Sequence, residues 1–213
     1  MNNKAEHTNI IRKDKGELFT DSDPDHGRDI FHQKFIKIAN EGYLTQYESR
    51  LMLKNGKEVF LRPILKTDKN LILDLFNKLC LDSIYLRFLT HLNALPEDLL
   101  FQLTHINYSN QFALVAVIQE EEKDSIIAVA RYGYDPKENI TDFAVVVRDD
   151  WQNYGLGKSF LLKIFAIGKE HGISSFVSII DSTNHIMKHI LRELGYPVKY
   201  SYRSGSTQAE VFV

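Results

Sequence analysis

Cysteine is nearly absent from this chain of 213 residues: Cys80 stands alone. That excludes an intramolecular disulfide framework and any multi-thiolate metal site. An excess of one charge is missing as well. The 26 Lys+Arg nearly balance the 28 Asp+Glu, leaving a formal net charge of −2. A strongly basic binder of nucleic-acid duplex or anionic membrane is thereby excluded, although a small local patch is not. No apolar run approaches the ~20 residues of a membrane helix. The first thirty or so residues carry Lys4, Arg12, Lys13 and Lys15 but no apolar stretch behind them, so they do not read as a secretory signal. These absences lead us to expect a cytoplasmic protein. What remains is ordinary globular material, 44% hydrophobic and 25% charged. It is enough for one domain with a modest extension and a core that needs no staples.

Residues 1–45 read as a polar, partly flexible extension. The turn formers of 21–27 lie within it, and the spacing of Ile30, Phe31, Phe35, Ile36 and Ile38 predicts a short helix over 30–41. From 46 to 213 the pattern is that of a single domain. Two β-rich runs, 47–53 and 58–64, flank Asn55-Gly56, a strong hairpin signal. Thr67 is expected to cap a helix reaching Leu79, followed by helical stretches at 83–89 and after Pro96. Strands are expected at 112–118, 126–134 and 140–147, the last with a Val145-Val146-Val147 run suited to burial on both faces. A helix over 156–171, a strand at 174–180, a helix at 184–194 and a hairpin at 199–213 complete the order. The fold class is mixed α/β around one sheet.

Chemistry concentrates between Val145 and Ser159. A buried strand runs into the loop Asp149-Asp150-Trp151-Gln152-Asn153-Tyr154-Gly155, and the loop into a helix. Helix starts present unpaired N–H groups and a positive dipole end, and Gly155 and Gly157 allow close approach to that backbone. The segment therefore reads as an anion site. Gly157-Lys158-Ser159 matches the end of a nucleotide-binding P-loop, but Gln152 stands where the defining first glycine belongs, which argues against that reading. A tight strand-to-helix turn with no ligand is the plain alternative.

Gln152-Asn153-Tyr154-Gly155-Leu156-Gly157 also resembles, without a gap, the Gln/Arg-x-x-Gly-x-Gly/Ala signature of the GNAT superfamily of N-acetyltransferases. The resemblance extends over about residues 58–213. Around 128–132 and 143–152 it is most like the catalytic domain of bacterial protein-lysine acetyltransferases. It implies a mixed, mostly antiparallel sheet of about seven strands flanked by helices. It implies acetyl-CoA as co-substrate, no metal, and direct transfer of acetyl to a primary amine, preferably a protein lysine. By the same resemblance, the N–H groups from Gln152 through Asn153, Tyr154, Gly155, Leu156 and Gly157 to Lys158 would cradle the pyrophosphate. Val145 and Val147 would offer main-chain groups to the pantetheine arm, and Asn184 would hydrogen-bond it. The family's general base is often a Glu; Asp142 stands at that position, one methylene shorter, and reads equally as a polar residue at a strand edge. No Tyr occupies the last helix to serve as general acid, leaving Tyr196 or water. A polyamine or amino acid as acceptor, or a non-catalytic acyl-CoA sensor, remain alternatives, as do a monomer and a homodimer.

Other residues have plainer readings. His185 and His189 have zinc-ligand spacing but lack the Glu of H-E-x-x-H, position 186 being Ile186, a core-face residue. Cys80 reads as a buried, inert thiol. Glu120, Glu121 and Glu122 read as a solvated turn. Tyr85, Arg87 and Phe88 would either line the acceptor channel or pack as ordinary helix residues.

Overall fold

The computed structural model describes residues 44–213, apart from 109 and 204; the expected extension and its helix at 30–41 lie outside the described residues. Eight strands form one open sheet in the order β1-β2-β3-β4-β5-β6-β8-β7. They are β1 (Ser49–Met52), β2 (Glu58–Pro63), β3 (Gln111–Glu120), β4 (Lys123–Asp135), β5 (Ile140–Val147), β6 (Ser175–Asp181), β7 (Val198–Arg203) and β8 (Ser206–Phe212). The helices are α1 (Lys69–Asn77), α2 (Leu81–Phe88), α3 (Glu97–Thr104), α4 (Leu156–Glu170) and α5 (His185–Glu193). The architecture is thus the expected mixed α/β one, with one strand more than the resemblance suggested.

Most elements arise for the reasons the sequence supplies. Gly56 takes φ +77° in the β1–β2 turn, where the Lys57 N–H donates to Asn55 Oδ1 at 3.1 Å. Thr67, however, caps nothing. It lies in a 3-10 turn at Lys66–Asp68, and α1 begins one residue later. The cause is a buried ion pair: Asp68 accepts two hydrogen bonds from Arg62, at 2.7 and 2.8 Å, and one from the Leu65 N–H. The turn holds both carboxylate oxygens where those donors need them. Residues 45–47 likewise form a 3-10 turn rather than the start of β1.

Strand alternation sorts the core into two layers. Phe112, Tyr132, Phe143 and Phe176 face α4 and α5, while Ala113, Val115, Val117 and Ile126 face α1, α2 and α3. Helix α4 lies directly on β6: a Cβ at Gly168 would come within 2.3 Å of Phe176 Cζ.

One seam of the sheet is irregular, and it positions the site. All neighbouring strands pair antiparallel except β5 and β6, which run parallel and pair at a single register position, Asp142 beside Val177. From there toward their C-terminal ends the two strands separate, leaving a wedge in the sheet. Helix α4 starts at its open end, and Asp142 sits at its apex.

Candidate active site

A cleft of about 490 Å³ occupies the wedge and continues over the start of α4. The Arg148 N–H donates across to Ile127 O on β4 at 2.8 Å. Main-chain groups along a strand alternate in direction, so those of Val145 and Val147 point the other way, into the wedge. Gln152 Nε2 donates to Val147 O at 3.0 Å, so that carbonyl is already engaged from the loop side.

The loop after β5 is held from two directions. Asp149 accepts hydrogen bonds from the Cys80 N–H (2.7 Å), Ser83 Oγ (2.6 Å), Cys80 Sγ (3.2 Å) and Gln152 Nε2 (3.2 Å). Although desolvation pushes its carboxyl up, those bonds hold it below the usual carboxylate value. Cys80 is therefore not the buried thiol expected from sequence. It is exposed, and it caps α2 by accepting from the Ser83 N–H. The apolar stripe of α1 ends before it, and the chain turns outward to begin the next helix.

On the other side, buried Arg148 donates to both oxygens of Glu120 (2.8 and 2.5 Å), to both oxygens of Asp150 (2.7 and 2.9 Å) and to Ser125. Glu120 is thus an anchor for the loop and not merely part of a solvated turn. The hydrogen bonds from Arg148 hold its carboxyl down to about 2, against a smaller opposing effect of desolvation. A depressed carboxylate contributes stability above its ordinary value of 4.5 and loses it as pH falls toward 2. We expect the melting temperature to drop over that interval, and Glu120→Gln to lower it at neutral pH and flatten the acid slope. An unchanged slope in thermal melts of the variant would place the source elsewhere.

Asn153 and Gly155 adopt φ +66° and +87°, turning the chain into α4. The first hydrogen bond of the helix runs from the Ser159 N–H to Gly155 O, so the N–H groups of Leu156, Gly157 and Lys158 stand ahead of the ladder at the cleft floor. Of the residues singled out in sequence, Val145, Val147, Gln152, Asn153, Tyr154, Gly155, Gly157, Lys158 and Asn184 line the cleft. Leu156 is not among them, its side chain being buried in the core. The Asn184 side chain accepts from the Met187 N–H at 2.9 Å and caps α5.

Asp142 lies beyond that lining, at the apex, on the face of β5 against which α2 packs, and the residue itself is exposed. A Cβ at its cross-strand partner Gly133 would come within 3.0 Å of Asp142 Oδ1, so the missing side chain seats the carboxyl. Partial desolvation by the groups around it pushes that carboxyl up, against the pull of Arg131 and Arg87. Tyr196 does not line the cleft; its ring packs against Phe165 beneath α4.

Two features were missed in sequence. Ile186 is not a core residue: it is 64% exposed and lines the cleft with His189 and Ile190, giving α5 an apolar face toward the wedge. Ser83 and Leu86 are the second: with Arg87, already weighed as a channel residue, they bring one face of α2 to the same cleft, and the hydroxyl of Tyr85, weighed with it, donates to Asp181 at the end of β6. Their i, i+3, i+4 spacing was the available signal. Phe88 packs beside Phe76 as an ordinary core residue.

A strand running through a glycine-bearing loop into a helix start is the geometry the signature implied, and the parted parallel seam beside it comes from the structure alone. The model of the acetyltransferase (GNAT) family matches residues 81–196, more than half the chain. This chain belongs to the GNAT acetyltransferase family. It is 26% identical over 144 residues to Acetyltransferase PA5475 of Pseudomonas aeruginosa, covering 68% of this chain and 77% of that protein. In fold it is similar to the GNAT domain of S. lividans PAT, with a TM-score of 0.74 over 80% of this chain and 99% of that one, at 23% identity. It is also similar to yncA, a putative acetyltransferase from Salmonella typhimurium solved with its cofactor acetyl-CoA. That match has a TM-score of 0.56 and 17% identity, covering 73% of this chain and 92% of that one. The protein is an acyltransferase of the GNAT fold. Among the described residues no helix is long and apolar enough to cross a membrane, and no group of three or more His, Cys, Asp or Glu is placed to hold a metal.

Proposed function

We propose that this GNAT protein transfers acetyl from acetyl-CoA to a primary amine in the cytoplasm, with a protein lysine as the acceptor to test first. The observation that carries the reading is the wedge itself, which joins an anion-binding helix start to a carboxylate at its apex. The residues fit the donor. The N–H groups of Leu156, Gly157 and Lys158 suit a pyrophosphate. A Cβ at Gly157 would meet Ile190 and Val147 only at ordinary contact distances, 3.6 and 3.8 Å, so the glycine answers no demand of the protein's own packing. The main-chain groups of Val145 and the Val147 N–H are set to pair with an extended amide-bearing arm, as an added strand would.

At the apex the acceptor is mostly protonated at neutral pH, and Asp142 takes its proton directly or through one water. The free amine nitrogen then bonds to the thioester carbonyl carbon. The carbon–sulfur bond breaks, its electron pair leaves with sulfur, the nitrogen gives up its second proton to leave a neutral amide, and the thiolate takes a proton. An N–H aimed into the wedge from β5 stabilises negative charge on the carbonyl oxygen. Thermal shift with acetyl-CoA, then CoA release with a panel of amines and mass spectrometry of candidate proteins, tests this. Stabilisation by acetyl-CoA with acetylated product supports it. Stabilisation with no amine acetylated would make the chain an acyl-CoA sensor instead.

A further inference from the structure

Arg87 and Arg131 stand beside the apex and have no part in the chemistry above. In the β4–β5 ladder Arg131 lies opposite Ala144 and Gly133 opposite Asp142. Arg131 is therefore the diagonal neighbour of Asp142, on the face that α2 covers. Arg87 comes down from α2 onto that face. It lines the main cleft and also a small apolar recess shared with Val129 and Val146, the residues flanking Arg131 and Ala144.

Both arginines are half-buried, and neither makes a hydrogen bond or a close ion pair with any described residue; the Arg87 guanidinium lies over the Phe88 ring, 4.9 Å from its centroid. Burial pulls the Arg87 guanidinium down to about 10, the like charge of Arg131 adds to that, and Asp142 opposes it. Burial also lowers Arg131. Two cations thus share one carboxylate that neither touches, and one positive charge is left over. A half-buried cation without a close partner is a natural place for an anion supplied from outside.

That something is not the donor's pyrophosphate. Arg131 sits opposite Ala144, three residues before Val147 and so roughly 10 Å up the strand from the loop that leads to the phosphate-binding helix start. We propose that Arg87 and Arg131 form an anion subsite for the acceptor: the amine this enzyme acetylates carries a carboxylate close by, held on the two guanidinium groups while the nitrogen faces Asp142. The proposal rests on reading the cleft as an acetyl-transfer site and adds the acceptor's charge. Planar guanidinium groups suit a carboxylate, which they bind in paired hydrogen bonds. They disfavour a polyamine, whose second ammonium would face two like charges. The carboxylate has two sources, a free amino acid or an acidic residue flanking a lysine.

Matched acceptors decide between presence and absence of the subsite. L-lysine is compared with L-lysinamide, and a capped lysine peptide flanked by Glu with the same peptide flanked by Gln. Each is assayed for kcat/KM by CoA release and for affinity to the CoA-loaded enzyme by calorimetry. The expected result is at least a tenfold preference for the carboxylate member of one pair; the pair that shows it identifies the source. In Arg131→Gln that ratio should collapse toward one, and in Arg131→Lys part of it should survive, with melting temperatures confirming that both variants fold. Equal treatment of both members in both pairs, or preference for the amides, would overturn the subsite. If no acceptor is acetylated, the acetyl-transfer reading fails by itself, while the calorimetric ratio still decides the charge preference.

Discussion

Asp142→Asn is expected to lower kcat by about 10²–10⁴-fold, the usual worth of a positioned general base, with acetyl-CoA affinity retained. The substitution keeps the shape over Gly133 and removes only the ability to take a proton. The pH dependence provides a second reading. Partial desolvation raises the Asp142 carboxyl above the ordinary aspartate range. The wild-type rate should therefore climb with pH as the carboxyl ionises, and the variant should lack that limb. Stability should move the other way. A carboxyl whose folded pKa is raised costs the folded state stability as pH rises through the unfolded and then the folded value, and the cost persists above both. Asp142→Asn should thus leave the neutral-pH melting temperature unchanged or raise it. A slow variant that melts no lower is what a functional carboxylate predicts. A fully active variant at every pH would mean that Asp142 is only a strand-edge polar residue.

The fold was legible in the sequence wherever local chemistry decided the outcome. Asn55-Gly56, the run Val145-Val146-Val147 and Gly155 each specify a backbone state without help from distant residues. The misreadings share a cause, since each depended on side-chain partners or missing neighbours that local propensity does not show. Thr67 loses its capping role because Arg62 draws Asp68 into a buried pair. Cys80 and Ser83 serve a carboxylate at Asp149, sixty-nine and sixty-six residues on. Ile186 reads as core from helical spacing, yet the parting of β5 from β6 leaves nothing to cover it. The wedge itself is invisible in sequence, because it consists of strand pairs that do not form. Gly133 is similar: only the ladder shows that its missing side chain makes room for Asp142.

Two glycines three ångströms of helix rise apart should respond in opposite ways, which tests the phosphate cradle most sharply. Gly155 is left-handed at φ +87°, and a Cβ there would meet Lys54 Cε at 3.4 Å. Gly155→Glu adds backbone strain of about 1–2 kcal/mol and sets a carboxylate at the helix start. There it would occupy the donors meant for the ligand and repel its phosphates. Losing one or two charge-assisted hydrogen bonds of about 1.5–3 kcal/mol each weakens acetyl-CoA binding about 10- to 10⁴-fold, at roughly 1.4 kcal/mol per decade. Gly157 has no positive φ, and its Cβ would sit 3.6 Å from Ile190 Cδ1. Gly157→Ala should therefore fold as well as the wild type or slightly better, alanine being favoured over glycine in a helix by about 1 kcal/mol. Any affinity Gly157→Ala loses in calorimetry with acetyl-CoA then reports contact with the ligand, because the protein alone accommodates the methyl. If both variants bind acetyl-CoA as tightly as the wild type, the N-terminus of α4 is not where the phosphates lie.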